Sequence, residues 1–251
     1  MLTLLTIMAL SSCKDSKQGD TEELQPKAQV AQQAQPEPAQ PAAPRECSTQ
    51  CVTPFGTALG SNRDIVGYSN CQPACIDPKP VQSPPVLGET EGELVYTGIN
   101  WQCVEYARRW WLQERGIVFG SVDTANDMWT QISAASVVAD NSEVTVIRHV
   151  NGGEVAPIVG DLIIYKSDEA STNLKYGHVA VVVGLDEKAG TLSVAEQNFE
   201  NREWQDPKSH ARTLAFRNDD GHMTLYDLPA DTAKLETAAA ARIYGWLRAE
   251  Q

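Results

Sequence analysis

The sequence predicts an α+β domain in which helices precede a run of antiparallel strands. Residues 101–115 and 123–135 place apolar side chains at helical spacing, and Gly116 is positioned to end the first of these helices. Short runs of β-forming residues follow, separated by short connections such as the turn at 186–190. These runs are residues 144–147, 161–165, 178–184, 192–196, 212–216 and 223–228. We therefore expect N-terminal helices packed on an antiparallel sheet.

The first thirteen residues resemble a bacterial lipoprotein signal. Residues 2–10 are apolar, and the sequence Leu-Ser-Ser-Cys at 10–13 is similar to a lipobox. We expect residues 1–12 to be a signal peptide and Cys13 to be the acylated first residue of the mature protein. The apolar run is shorter than the roughly 20 residues that span a bilayer, so the sequence predicts a lipid anchor without a membrane span. The expected location is the bacterial cell envelope, periplasmic or surface-facing. A buried N-terminal helix is the alternative, but the polar segment that follows offers it nothing to pack against.

Residues 13–46, which follow the signal, are expected to form a disordered tether. Gln, Ala and Pro dominate residues 14–46, which contain no aromatic residue and so cannot recover the entropy lost on ordering. The tether carries four basic and six acidic side chains, which leaves 11 of the 13 net negative charges on the domain expected at 47–251. An acidic surface repels phosphate backbones, so we do not expect nucleic acid as a partner.

Four cysteines open the predicted domain as two Cys-x3-Cys pairs, Cys47/Cys51 and Cys71/Cys75. They admit three disulfide pairings or a four-thiolate zinc site. Disulfides are favoured downstream of an export signal. Pairing Cys51 with Cys71 and Cys47 with Cys75 would staple two antiparallel segments together.

Cys103 differs from the other cysteines because it lies just inside the start of the first predicted helix. The positive end of the helix dipole favours a thiolate there, and the unpaired backbone N–H groups could stabilise an oxyanion. His178 begins an apolar strand, and Glu196 ends the next predicted strand. Antiparallel pairing places Glu196 beside His178, where the carboxylate can orient the base that activates Cys103. The alternatives are an inert core cysteine and a histidine at an ordinary strand end.

Three segments, residues 101–109, 177–180 and 195–198, resemble the CHAP amidase domain of bifunctional glutathionylspermidine synthetase/amidases. The likeness covers roughly residues 54–247, about one domain. It implies a papain-like α+β fold. It also implies that Cys103 is the nucleophile, His178 the general base and Glu196 the residue that orients it.

The same resemblance assigns three further side chains. Gln102 precedes the nucleophile near the oxyanion site, and Asn198 matches a conserved polar position of CHAP domains. Arg108 matches a family arginine in the active-site region, where it contacts substrate or forms a structural ion pair.

These observations predict a surface-anchored thiol amidohydrolase that needs no cofactor and no metal. The chain ends at Gln251 and shows no glycine-rich phosphate loop, so we expect hydrolysis without ligation. Two substrates compete: a glutathionyl polyamine, which fits the resemblance, and a peptidoglycan peptide, which fits the expected location. A non-catalytic binding module and a redox sensor acting through Cys103 are the remaining alternatives.

Overall fold

A computed structural model of the chain describes residues 47, 50–85, 93–229, 232 and 234–250. The predicted signal peptide, Cys13 and the predicted tether lie outside these residues. In chain order, the elements are β1 (Ala58–Asn62), β2 (Ile65–Tyr68), β3 (Pro80–Ser83), β4 (Val95–Ile99), α1 (Cys103–Arg115), β5 (Ile117–Phe119), α2 (Met128–Gln131), β6 (Ala134–Val137), β7 (Glu143–Val150), β8 (Leu162–Tyr165), β9 (His178–Asp186), β10 (Thr191–Ala195), β11 (Arg212–Asp219), β12 (His222–Pro229), α3 (Thr237–Ala241) and β13 (Ile243–Ala249). No helix in the described ranges is long and apolar enough to cross a membrane.

A nine-stranded antiparallel sheet dominates the fold, in the order β12-β11-β10-β9-β8-β13-β7-β6-β5. The six strand predictions are confirmed as β7 to β12. Strand β13, which the sequence did not predict, lies between β8 and β7 and pairs with both. The hairpins β1-β2 and β3-β4 form two separate small sheets.

The first predicted helix is present as α1, and it ends as predicted. Gly116 adopts the left-handed conformation at φ 65°, and its N–H donates to the Leu112 carbonyl at 2.9 Å. Trp111 is fully buried on α1 in the same core cluster as Val179 and Val181 of β9. Helix α1 therefore packs against β9.

The prediction of several N-terminal helices packed on the sheet is not supported. The helix predicted at 123–135 is reduced to the four residues of α2, and Ile132 leaves the helix with extended backbone angles of φ −89° and ψ 109°. Residues 134–137 form β6 instead and pair with β7. Pairing with a neighbouring strand satisfies the backbone there, so this tertiary contact outweighs the helical spacing of the apolar residues.

Both faces of the central strands are buried, which explains their nearly continuous apolar sequences. Leu162 and Ile164 of β8 belong to the core cluster that includes α1. Ile163 and Tyr165 belong to a second cluster, which includes Trp246 of β13. Alternate side chains of a strand point to opposite faces, so β8 contributes to both clusters.

Candidate active site

Cys103 is the first residue of α1, where the sequence predicts it. Among the described cysteines it is the free thiol, and it is buried. Gln102 before it has the extended angles φ −78° and ψ 152°, so the helical conformation begins at the cysteine itself. Cys103 and His178 line the same cleft, which has a volume of about 470 Å³. The start of the helix therefore presents both a thiol and backbone N–H groups to this cleft.

Antiparallel pairing brings Glu196 to His178, as predicted. Strand β10 pairs with β9, and its last residue, Ala195, lies opposite Val181. The Nε2 atom of His178 lies 2.8 Å from Oε2 of Glu196. His178 is also hydrogen-bonded to Cys103. Since Glu196 engages Nε2, Nδ1 is the ring nitrogen left for the thiol.

The charges around His178 and Glu196 favour their ionised forms. Burial by itself would lower the pKa of His178, but its hydrogen bonds to Cys103 and Glu196, together with their charges, raise it to about 9. Burial would raise the pKa of Glu196, but the charge of Arg212 and the hydrogen bond to His178 lower it to about 2. At neutral pH a carboxylate therefore faces an imidazolium in a buried pair.

Gln102 and Asn198 are joined directly, because the Asn198 Nδ2 donates to the Gln102 Oε1 at 2.9 Å. The Gln102 Nε2 donates to the Cys75 carbonyl at 3.2 Å and lies 3.4 Å from Oδ1 of Asn70. The Asn70 Nδ2 donates to the Asn198 Oδ1 at 3.0 Å. These bonds tie the residue before the nucleophile to the cysteine-rich segment. Sequence reasoning missed Asn70, which no local pattern marks.

Arg108 lines the cleft, and within the described residues it forms no ion pair, which the sequence offered as one alternative. Its Nη2 donates to the Gly120 carbonyl, and its guanidinium lies 4.9 Å from the Phe119 ring centroid. Its buried Nε has no hydrogen-bond partner in the part of the chain that the structure describes. Burial lowers the pKa of Arg108, although Tyr96 and Glu105 oppose this effect.

A second buried network, which sequence reasoning also missed, supports the start of α1. The Gln197 Nε2 donates to the Gln102 carbonyl at 2.9 Å and to the Glu105 Oε2 at 2.7 Å. The Arg109 Nε donates to the Glu105 Oε1 at 2.7 Å. Gln197 follows Glu196 directly, and this position next to a predicted site residue is the sequence signal that could have indicated a role for it.

The cysteine-rich segment forms two disulfides with the pairing that the sequence favoured. Cys47 is bonded to Cys75 and Cys51 to Cys71, with Cα atoms 5.3 and 4.2 Å apart. Pro73 and Ile76, which flank Cys75, line the cleft. Within the described ranges, no group of three or more His, Cys, Asp or Glu side chains could hold a metal ion.

Comparison with known proteins identifies related sequences for this site. Residues 95–198 match the family model of the CHAP domain. The chain is 29% identical over 194 residues to the bifunctional glutathionylspermidine synthetase/amidase of Escherichia coli K12, which covers 77% of this chain and 29% of that protein. For a glutathionylspermidine synthase of Crithidia fasciculata the identity is 28% over 178 residues, or 70% of this chain and 24% of that protein. For a trypanothione synthetase of the same organism it is 32% over 133 residues, or 53% and 19%. The chain thus spans less than a third of the length of these relatives.

Proposed function

We propose that this chain, which carries a CHAP domain at residues 95–198, is a cysteine amidase that works through Cys103, His178 and Glu196. The observation that carries the proposal is the hydrogen-bonded series from the thiol to the imidazole to the carboxylate, beside a cleft. A nucleophile, a base and a group that orients the base are the three parts that acyl transfer by a thiol requires.

The geometry supports a two-step hydrolysis. The Cys103 thiolate attacks the amide carbonyl, and the backbone N–H groups at the start of α1 stabilise the oxyanion. The Gln102 amide already donates to the Cys75 carbonyl, so we assign it to positioning the nucleophile. His178 donates the proton from Nδ1 to the leaving amine, which departs and leaves a thioester. His178 then takes a proton from water, the resulting hydroxide attacks the thioester, and Cys103 leaves as the thiolate.

A glutathionyl polyamine is the substrate we favour. The name of the Escherichia coli relative includes a glutathionylspermidine amidase activity. A chain with a net charge of −13 attracts a polyamine cation. We assign Arg108 to substrate binding, because its side chain lines the cleft.

The test compares two histidine variants of the purified protein. With glutathionylspermidine as substrate and released spermidine as the readout, His178→Gln should lower kcat/KM by about 10²–10⁴-fold, since the variant loses the acid–base group. His222→Gln, at an exposed histidine that begins β12, should leave kcat/KM unchanged. Cys103→Ser should lower activity by about a thousandfold or more.

Chemical labelling tests the nucleophile without a substrate. Cys103 should react with iodoacetamide at pH 5.5 much faster than a free thiol. Reaction at the free-thiol rate, combined with unchanged substrate binding by Cys103→Ala, would indicate a binding module and contradict the proposal. Formation of a sulfenic acid in place of turnover would indicate a redox sensor.

A peptidoglycan peptide is the second candidate substrate. The predicted lipoprotein signal favours it, because such a signal would place the enzyme in the cell envelope. Release of muropeptides from purified peptidoglycan, with no release of spermidine, would favour this substrate. Cys13→Ser should move the protein from the membrane fraction to the supernatant if Cys13 is the acylated residue.

A further inference from the structure

We infer that Arg212 is a positioning residue for the proposed machinery: it fixes the Glu196 carboxylate in the orientation that holds His178. This inference rests on the proposed function of Cys103, His178 and Glu196. The sequence predicts a strand at residues 212–216 but indicates no role for Arg212.

Arg212 grips Glu196 through two hydrogen bonds. Its Nε donates to the Glu196 Oε1 at 2.5 Å, and its Nη2 donates to Oε2 at 3.1 Å. Oε2 is also the atom that lies 2.8 Å from the Nε2 of His178. A planar guanidinium that engages both oxygens fixes the plane of a carboxylate, whereas a single hydrogen bond leaves it free to rotate. Arg212 therefore fixes the orientation of the Glu196 carboxylate towards His178.

Arg212 is itself fixed on its other sides. Its Nη1 donates to Oδ1 of Asp227 at 3.2 Å, and its Nη2 donates to the Tyr165 hydroxyl at 3.3 Å. Its guanidinium lies 3.9 Å from the ring centroid of Phe199, whose centroid lies 4.7 Å from that of His178. Phe199 thus contacts both the base and the arginine. These neighbours come from three different segments, so the guanidinium has little freedom to move.

The side chains of Glu196, Asp227 and Arg212 are largely buried, and this burial makes the charge of Arg212 important for the ionisation of Glu196. The side chains of Glu196 and Asp227 are 4% and 6% exposed, and that of Arg212 is 17% exposed. A buried carboxylate without a positive partner tends to take up a proton. Tyr106 on α1, Tyr165 on β8, His178 on β9 and Arg212 on β11 interact electrostatically with Glu196. Cys103 acts on His178, and Asp227 acts on Arg212. Three further charged residues line the same pocket as Glu196, namely Glu200, Arg202 and Glu203. Arg212 is the positive group that lowers the pKa of Glu196 most.

The experiment measures the pH dependence of Cys103 alkylation by iodoacetamide in the full chain, together with kcat and KM on the substrate that the wild type cleaves. Arg212→Gln should move the acid limb of the alkylation profile up by roughly one to three pH units, because Glu196 then takes up a proton at higher pH. It should lower kcat by about tenfold or more and change KM little, since the guanidinium does not line the substrate cleft. Arg212→Lys keeps the positive charge but loses the paired hydrogen bonds from one planar guanidinium to both carboxylate oxygens. The acid limb of its alkylation profile should therefore shift less, while kcat should still fall.

A matched control is available in a second buried arginine–carboxylate pair. Arg248 donates to Asp161 at 2.9 and 2.6 Å, its side chain is 20% exposed, and neither residue lines the cleft. Arg248→Gln should cost a similar amount of stability and leave the alkylation profile unchanged. If Arg212→Gln does not fold, Arg212→Lys and the charge-balanced double variant Arg212→Gln/Asp227→Asn give the same comparison.

The outcomes separate this inference from the proposed function. An unchanged acid limb in a folded Arg212→Gln, or an equal shift in Arg248→Gln, would overturn the positioning role while Cys103 remains reactive in the wild type. A wild-type Cys103 no more reactive than a free thiol would overturn the proposed function, and this inference with it.

Discussion

At the scale of single residues, two opposing effects set the pKa of His178. Burial disfavours the imidazolium, and the hydrogen bonds to Cys103 and Glu196 more than offset it, so the pKa rises to about 9. The imidazolium is the species that can protonate a leaving amine. In the proposed mechanism, His178 is therefore protonated and able to act as the general acid over the neutral range, although the side chain is only 1% exposed.

We expect the raised pKa of His178 to separate two pH profiles. The proton on His178 is present below its pKa and is lost as the pH rises through about 9. Amide hydrolysis should therefore decline above pH 9, because the leaving amine then lacks a proton donor. Alkylation of Cys103 should not decline there, since a thiolate needs no proton donor. The measurement is kcat/KM and the alkylation rate of the wild type between pH 5 and 10.5. A parallel fall of both rates above pH 9 would contradict this assignment.

The residues of the site differ in how far the sequence could predict them. Cys103 begins α1, His178 begins β9 and Glu196 directly follows β10. Strands β9 and β10 are adjacent, so the meeting of His178 with Glu196 follows from local pattern and antiparallel pairing. The approach of Cys103 to His178 depends on the packing of α1 against β9. Arg212 and Asn70 carry no such signal. Asn70 meets Asn198 across 128 positions of the chain, a contact that only the tertiary fold determines.

At the scale of elements, the tight entry into β9 positions His178. Gly177 before it has φ 70°, and a Cβ added there would lie 2.7 Å from the Asn126 nitrogen and from the Tyr165 carbonyl oxygen. A glycine before His178 allows another group to approach closely, as the sequence predicts. Both the backbone angle and the close approach of neighbouring backbone exclude a side chain at this position.

Gly177→Ala should therefore displace His178 and reduce activity. The new Cβ must push against backbone atoms, which cannot rotate away, so kcat should fall by about tenfold or more. Gly116→Ala is the matched control, because Gly116 has φ 65° but no atom within 4 Å of an added Cβ. It should cost about 1–2 kcal/mol of stability for the left-handed backbone and leave kcat unchanged. Thermal denaturation and steady-state kinetics of both variants provide the check, and equal kinetics would contradict the positioning of His178 by Gly177.

The other elements show where local pattern is insufficient. The apolar spacing at 123–135 is typical of a helix, yet residues 134–137 pair with β7 as β6. The run at 243–249 is interrupted by Gly245, but it becomes a strand that pairs with both β8 and β7. In both cases the backbone state depends on a partner strand that lies elsewhere in the sequence.

At the scale of the whole molecule, the negative charge acts on the approach of a substrate. The chain carries a net charge of −13. An acidic protein raises the local concentration of cations, and the attraction weakens as salt shortens the screening length. This attraction depends on the net charge of the whole chain and not on any single contact in the cleft.

If the substrate is a glutathionyl polyamine, its turnover should depend on salt. Raising NaCl from 20 mM to 500 mM should lower kcat/KM for glutathionylspermidine by about threefold to tenfold. The glutathionyl amide of ethanolamine, whose amine part carries no positive charge once it is acylated, should show a smaller change. Equal salt dependence for the two substrates would show that the acidic surface does not select the polyamine.

The sequence by itself predicted the three side chains of the proposed site, namely a thiol at a helix start, a histidine at a strand start and a carboxylate after the next strand. These positions depend on short-range periodicity and on pairing between neighbouring strands, which local sequence encodes. The tertiary structure alone decided what surrounds them: the grip of Arg212 on Glu196, the link from Asn70 to Gln102 and Asn198, and the insertion of β13 between β7 and β8. These contacts join distant parts of the chain. The local sequence around each residue does not specify its distant partner, so the contacts are decided by the packing of the folded molecule.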